Sequence, residues 1–366
     1  MKRAAALILS VLLAPLLGGC ALFPSALRGV ERLALVQALG VDRAEDGVLL
    51  SMVTAADSSR GEGPVRLTGR GATIAAAAED AAAHAQAERI FCAHTGYLLV
   101  GGESAREDVE ALLRWVCRSR ELRMDVPLLI VRGASAEEAL LQSGGERVGA
   151  AELLDAIASA APARLGFELP SVARIAGRLE NGGCALAAAI VCTPSSVQEG
   201  EERPLTLAPA GLAVLRDGKL LAFLDEEESV GTDLLCGARG VHEITVTDRA
   251  GQRVTLQTAP GGTDLRVIPG ADGEGGAIEL TIRLTASVAE LDGEGALSDA
   301  AYADELAALL ERELLRRASA VLRLQQTLDA DFLCLRERSG LDGAGDLPVR
   351  LGAAVRVSHA NDVRDG

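Results

Sequence analysis

The sequence predicts an α+β protein, in which an N-terminal mixed α/β region is followed by a C-terminal antiparallel sheet with one long packed helix. In the first half, apolar runs of strand length alternate with amphipathic stretches. This order is expected of a mixed sheet covered by helices. In the second half, several strand-like runs precede one long helical stretch at about 301–328. Strands followed by a single helix are typical of an antiparallel sheet with a helix across one face.

Strands in the N-terminal region are predicted from apolar runs at 33–39, 48–53, 90–100, 126–131 and 184–192. The first two runs flank turn residues and therefore predict a hairpin. Helices are predicted at 73–88, at 104–118, from 135 onward and at 150–160. Thr73, Ser104 and Ser135 are the first residues of three of these stretches, and we expect each hydroxyl to cap a helix N-terminus.

The C-terminal region is predicted to begin with a second hairpin, 211–216 and 219–224, around an Asp217-Gly218 turn. An acidic turn and a short helix ending at Cys236 follow. Further strands are predicted at 241–246, 253–257, 265–268, 278–287 and 349–357. In the long helix, Leu306, Leu310, Leu314, Val321 and Leu328 recur at helical spacing, and Ser298 or Asp299 is the expected cap.

The first 19 residues are predicted to be a lipoprotein signal peptide. A basic start precedes an apolar run at 4–17, which is shorter than the about 20 residues that a bilayer-spanning helix needs. The run ends in a bacterial lipobox formed by Leu17, Gly18, Gly19 and Cys20. We expect cleavage before Cys20, a thioether bond from its thiol to diacylglycerol, and acyl chains such as palmitate on this lipid-modified residue. The alternative is an ordinary cleaved signal peptide with a chance cysteine at this position.

The mature chain divides by composition into a tether and two larger parts. Residues 20–32 form the tether, and residues 33–198 form the N-terminal mixed α/β region, as one domain or two subdomains. The polar segment at 198–204 is the expected boundary. Residues 204–366 then form the C-terminal α+β domain.

Charge and aromatic content exclude several classes of function. The chain has a formal net charge of −16, so phosphate backbones and anionic lipids repel it. We therefore expect no nucleic-acid partner and a membrane contact made only by the acyl anchor. Only 2% of the residues are aromatic, which disfavours sugar clefts and single-strand platforms that depend on stacking.

No set of residues in the sequence assembles into a catalytic or metal-binding motif. His94 lacks nearby partners and is interpreted as a histidine at the head of a buried strand, hydrogen-bonded to backbone. The carboxylates at 225–228 lack the spacing of a calcium loop and are interpreted as a solvated turn. Asp42, Asp46 and Gly47 are interpreted as turn residues. We therefore predict that the protein is not an enzyme and binds no metal or cofactor beyond the acyl chains on Cys20.

Six cysteines remain besides Cys20, and none of them forms a C-x-x-C pair. A body of this size does not need disulfides to fold, so we favour free thiols for most of them. A bridge between Cys184 and Cys192 is the one local pairing that the sequence leaves open.

Several segments, taken in order, resemble the Ger(x)C family, the lipoprotein C subunits of spore germinant receptors. After the lipobox come VERLALVQALGVD at 30–42, which ends in a Gly-hydrophobic-Asp pattern, and GATI at 71–74. They are followed by IFCAHTGYLLVGGE at 90–103 and RELRMD at 120–125. In the second half the resemblance continues with the hairpin at 211–224 and with Gly231.

The resemblance implies a non-enzymatic subunit of a nutrient germinant receptor that is required for germination. Such a lipoprotein sits on the outer face of the spore inner membrane and works with two polytopic partners, a larger A subunit and a transporter-like B subunit. The competing interpretation is an anchored extracytoplasmic solute-binding lipoprotein or hydrolase of a vegetative cell. The two interpretations predict different neighbouring genes.

Overall fold

The computed structural model describes residues 33–55, 63–85, 89–144, 149–195, 205–269, 276–292, 299–340 and 348–358. Two sheets and their helices make up these residues. The α+β fold class that the sequence predicts is confirmed.

Sheet A has nine strands within the described ranges. They are β1 (Leu33–Ala44), β2 (Gly47–Thr54), β3 (Arg66–Gly71), β4 (Arg89–Phe91), β5 (Tyr97–Gly101), β6 (Leu128–Arg132), β7 (Cys184–Pro194), β8 (Leu205–Arg216) and β9 (Lys219–Leu224). The order is β3-β2-β1-β5-β6-β7-β8-β9, with β4 beside β1. The central strands β1, β5, β6 and β7 are parallel, and antiparallel hairpins extend both sides.

Helices cover both faces of sheet A. They are α1 (Ile74–His84), α2 (Gly102–Glu107), α3 (Glu110–Arg118), α4 (Ala136–Leu141), α5 (Ala150–Leu165) and α6 (Val172–Glu180). The apolar residues of α1, α3 and α6 pack on one face, and those of α4 and α5 pack on the other. Strands β1–β9 with α1–α6 are called module A below.

Local signals in the sequence specify several elements of module A correctly. The first hairpin is confirmed as β1 and β2. The Thr73 hydroxyl accepts the Ala76 N–H at 3.2 Å, and the Ser135 hydroxyl accepts the Glu138 N–H at 3.0 Å, so both predicted caps are present. These signals succeed because a cap is decided by residues three positions apart.

Two predictions in module A are wrong in detail. The strand at 90–100 is two strands separated by a turn. The helix at 104–118 is also two, because Asp108 ends α2 in an extended conformation and its carboxylate accepts the Ala111 N–H at the start of α3. Ser104 therefore lies inside α2, and its hydroxyl accepts the Arg43 N–H at 2.8 Å instead of capping a helix.

Sheet B is formed by the later strands. They are β10 (Glu243–Thr247), β11 (Arg253–Thr258), β12 (Gly262–Pro269), β13 (Gly276–Leu291) and β14 (Val349–Ser358). All pairings are antiparallel except one, because β14 lies parallel to β13. The predicted antiparallel sheet is present, and it departs from that pattern only where β14 pairs with β13.

The parallel pairing of β14 follows from the long helix. The helices of this half are α7 (Glu226–Cys236), α8 (Ala300–Leu328) and α9 (Leu335–Ser339). With 29 residues, α8 is about 43 Å long and returns the chain to the start of β13. A strand that follows such a crossover runs parallel to its neighbour. Strands β10–β14 with α8 and α9 are called module B.

The predicted apolar face of α8 is confirmed. Leu306, Leu310, Leu314 and Val321 are fully buried, and Leu328 packs half-buried at the end of the same face. Asp299 is the cap, since its carboxylate accepts the Ala301 N–H at 2.9 Å.

The second hairpin does not open the C-terminal sheet as predicted. It forms β8 and β9, which extend sheet A from β7. Its turn is the predicted one, with Asp217 at φ 51° and Gly218 at φ 71°. The expected boundary at 198–204 lies outside the described residues, so the division of the chain into domains stays a prediction.

Helix α7 joins the two modules. Its residues 229–235 are all buried. Leu234 packs in one core with Leu212 and Leu224 of sheet A and with the inner faces of sheet B and α8. The modules therefore share a hydrophobic core, in which α7 is the central element.

Gly231 allows α7 and α8 to approach closely. A Cβ atom at this position would lie 2.6 Å from Val321 Cγ2 and 2.9 Å from the Arg317 carbonyl oxygen. The second atom belongs to the backbone of α8, so the added carbon forces the helices apart.

We predict that Gly231→Ala lowers the free energy of unfolding by about 1–3 kcal/mol, because it overpacks the α7–α8 contact. Gly177→Ala in α6 is the matched control, since a Cβ there meets no atom within 4 Å. The control should raise stability by roughly 0.5–1 kcal/mol through helix propensity. Urea unfolding measures both, and equal stability of the two variants would contradict the packing argument.

Candidate functional site

The predicted lipid-attachment site lies outside the described residues. This holds for Cys20, for the lipobox residues Leu17, Gly18 and Gly19, and for the tether at 20–32. Attachment of acyl chains therefore stays a prediction. Among the helices that the structure describes, none combines the length and apolar character required to cross a bilayer.

His94 does not occupy the buried position that the sequence suggests. It lies in the turn between β4 and β5 with an exposed side chain, and its ring is 5.8 Å from that of Phe91. The next residue, Thr95, is the buried one. Within the described ranges no cluster of His, Cys, Asp and Glu has the arrangement of a metal site.

The proposed bridge between Cys184 and Cys192 is excluded by geometry. Both residues lie on β7. Eight residues of extended chain separate their Cα atoms by about 26 Å, far beyond disulfide reach. The free thiols in the described chain include Cys117, Cys184, Cys192, Cys236 and Cys334. Burial raises the pKa of Cys184 to about 11, so this thiol stays protonated.

Asp42 connects β1 to the start of α4. Its carboxylate is 5% exposed and accepts the Ala136 N–H at 2.9 Å and the Glu137 N–H at 2.8 Å. Burial raises the pKa of Asp42, and the hydrogen bonds from these amides act in the opposite direction. The interpretation of Asp42 as a turn residue is wrong, whereas Asp46 does lie in the exposed turn.

Two glycines make the Asp42 contact possible. A Cβ at Gly40 would lie 2.9 Å from the Ala136 Cβ, and one at Gly101 would lie 2.3 Å from the Asp42 Oδ1 atom. The Gly-hydrophobic-Asp pattern at 40–42 thus has a structural basis. The absence of a side chain at Gly40 lets α4 pack closely, and Asp42 binds the N-terminal amides of α4.

The acidic run at 225–228 is largely solvent-exposed as expected, but it forms the N-cap and first turn of α7 instead of an isolated turn. The Asp225 carboxylate accepts the Glu228 N–H at 2.9 Å, and the Glu228 carboxylate accepts the Asp225 N–H at 2.8 Å. This reciprocal capping box uses both outer members of the run.

Glu227, inside the same run, pairs with α8. Its carboxylate lies 2.9 Å from Arg316 Nη2. Arg316 and Arg317 also donate hydrogen bonds to Glu313, and these bonds lower the pKa of Glu313 to about 2. The charges on α7 and α8 therefore reinforce the apolar contact between the two helices.

A buried Asp–His pair, which no motif in the sequence predicts, lies at the end of α7. His242 Nε2 is 2.8 Å from Asp233 Oδ2, and both side chains are at most 5% exposed. The Asp233 carboxylate also accepts the N–H groups of Arg239 and Gly240. A Cβ at Gly166, which ends α5, would lie 1.8 Å from Asp233 Oδ1. The pair therefore fixes the loop after α7 against module A.

A cleft of about 1030 Å³ separates α6 of module A from the segment that joins α8 to α9; we call it the α6–α9 cleft. Arg178 crosses it, with its Nη1 atom 2.9 Å from Glu337 Oε2 and bonded to Cys334 Sγ. Arg216 of β8 crosses it too, and donates to the Leu328 carbonyl at 3.1 Å. These two guanidinium groups tie the modules together by charge-assisted bonds.

Comparison with protein families matches both halves of the chain to spore germination proteins. Residues 28–185 match the spore germination protein N-terminal domain, and residues 210–339 match the C-terminal domain described as spore germination B3/GerAC-like. The chain belongs to the Ger(x)C family. The family resemblance read from the sequence is confirmed.

The crystal structure of the GerBC protein has the same fold as this Ger(x)C chain. The match covers 87% of this chain and 96% of that one, with a TM-score of 0.56 and 15% identity. Because the two sequences are only 15% identical, this similarity is evidence for a shared fold alone. A comparison with curated protein sequences found no match.

We predict that Asp42→Ala destabilises the protein by about 1.5–3 kcal/mol, because it removes hydrogen bonds to a charged acceptor and leaves the α4 amides unsatisfied. The matched control is Asp46→Ala in the same hairpin, whose side chain is exposed. Thermal and urea unfolding measure the difference. A loss no larger than that of the control would show that Asp42 does not hold α4.

Proposed function

We propose that this chain is the lipid-anchored C subunit of a nutrient germinant receptor. The observation that supports this most directly is that the two family matches span both modules of a body with a shared core. The lipobox at the start of the chain supports anchoring through Cys20.

In this proposal the anchored body lies on the outer face of the spore inner membrane. Two or three acyl chains hold it there, since each buried methylene contributes about 0.8 kcal/mol. The full chain has a net charge of −16, and removal of Lys2 and Arg3 with the signal peptide makes the anchored body more acidic, so anionic headgroups repel it from the bilayer surface. Its polytopic partners are the larger A subunit and the transporter-like B subunit.

The role that we propose is coupling without catalysis. Several buried or capping carboxylates already have structural tasks: Asp42 holds α4, Asp225 caps α7 and Asp233 binds His242. Because α7 packs against both modules, a displacement that a partner imposes on one module reaches the other through buried contacts. Such a body can transmit the response to a small nutrient.

We predict that Cys20→Ala removes the protein from the membrane fraction of spores and abolishes the response to nutrients. Without the thiol no acyl chain can attach, and the body has lost its anchor. Spore fractionation with immunoblotting measures retention, and loss of refractility after nutrient addition measures germination.

Cys117→Ala is the matched control, because Cys117 is an exposed free thiol of module A. It should leave both readouts unchanged. Normal retention and normal germination of the Cys20→Ala strain would contradict the proposal, and a similar defect in both strains would show that the anchor is not the cause.

A further inference from the structure

We infer that the α6–α9 cleft is a binding site for a small dianion whose carboxylate or phosphate groups bridge the two modules. This goes beyond the proposed coupling role, and its test does not depend on the anchor or on germination.

The position and size of the cleft suit a small ligand. Small-molecule sites commonly occupy about 300–1,000 Å³ and often lie between domains. The α6–α9 cleft has about 1030 Å³ and lies between modules A and B. A molecule bound there contacts both modules at once.

The charge of the cleft differs from that of the chain as a whole. The chain carries 52 acidic and 36 basic residues. The cleft is lined by four arginines against three acidic residues, and the arginines come from α6, β8 and α9. A basic lining in an acidic protein concentrates positive potential at one place.

Two of these arginines have side chains that bond to no other residue in the described ranges. Arg178 pairs with Glu337, and Arg216 is bonded to the end of α8. Arg174 and Arg336 have exposed side chains, and neither guanidinium group has a hydrogen bond or ion pair with another described residue.

The acidic residues of the cleft do not neutralise this pair completely. Both Asp331 oxygens accept backbone N–H groups, from Leu335 at 2.8 Å and from Arg336 at 2.9 Å. Glu337 is paired with Arg178. Neither Asp329 nor Asp331 has a basic side chain bonded to it among the described residues. Four arginines against three carboxylates leave one positive charge in excess in the cleft lining.

Guanidinium groups on opposite walls select the chemistry of the ligand. The planar fork of arginine bonds a carboxylate or a phosphate through two parallel N–H groups. Arg174 lies on α6 and Arg336 on α9. A dianion that bonds to both guanidinium groups links the two modules, whereas a neutral molecule leaves both positive charges without a counter-charge.

Calorimetric titration of the full chain in detergent tests this inference. The probes are succinate and inorganic phosphate at constant ionic strength, with the uncharged diamide of succinate as the ligand control. We expect saturable binding of at least one dianion and a raised unfolding temperature in its presence. Which probe binds distinguishes a carboxylate site from a phosphate site. Absence of saturable binding by both would overturn the inference.

Variants locate the site. The double variant Arg174→Gln/Arg336→Gln should weaken binding by about tenfold or more, because charge-assisted bonds are lost. Arg283→Gln on β13 is the matched control, since Arg283 pairs with Asp264 on sheet B and does not line the cleft. Unchanged affinity in the double variant, or an equal loss in the control, would overturn the inference.

Adding a negative charge to the cleft wall is a second test, in which all four arginines are kept. Gly177→Glu places a carboxylate on the cleft wall, where a Cβ meets no atom within 4 Å. It should weaken binding, whereas Gly177→Ala should not. Tight binding by the Gly177→Glu protein would contradict an electrostatic site.

Discussion

The packing of α7 between the modules is the constraint on which the rest of the structure depends. Residues 229–235 are buried on every side, and this burial is possible because Gly231 lets the α8 backbone approach. The β8–β9 hairpin supplies one wall of the same core, and sheet B with α8 supplies the other. Removing α7 would expose apolar surface on both modules.

Charged groups specify how the helices sit on this core. The Glu227–Arg316 pair aligns α7 with α8, and the Asp233–His242 pair fixes the chain that leaves α7. The Asp233–His242 pair is buried, so losing either partner leaves an unsatisfied polar group in the core, and the pair favours one arrangement over its alternatives. The Glu227–Arg316 pair is exposed and contributes less. Asp42 has the corresponding task in module A, where it fixes α4 on β1.

Local features of the fold could be predicted from the sequence, and long-range features could not. The Thr73 and Ser135 caps and the buried face of α8 depend on residues within a few positions of one another. The placement of β8 and β9 beside β7, and of β14 parallel to β13, is decided by packing between distant segments. The hydrophobic periodicity of a strand does not indicate which other strand it will pair with.

The same distinction applies to the candidate sites. Lipid attachment at Cys20 is predicted from four adjacent residues, so that prediction needs no long-range information. The Asp233–His242 pair has only a weak signal, an aspartate within an apolar stretch with a histidine nine positions later. The α6–α9 cleft has no sequence signal, because its arginines lie on three elements between residues 174 and 336.

Unfolding of the full chain, followed by two probes, tests most directly whether the modules share one core. Trp115 is the single tryptophan and packs on the core of module A, so its fluorescence reports that module. Far-UV circular dichroism includes the 29-residue helix α8 of module B. The shared core predicts that both signals change in one coincident transition in urea. Separate transitions, with Trp115 changing at a different urea concentration from the helical signal, would contradict it.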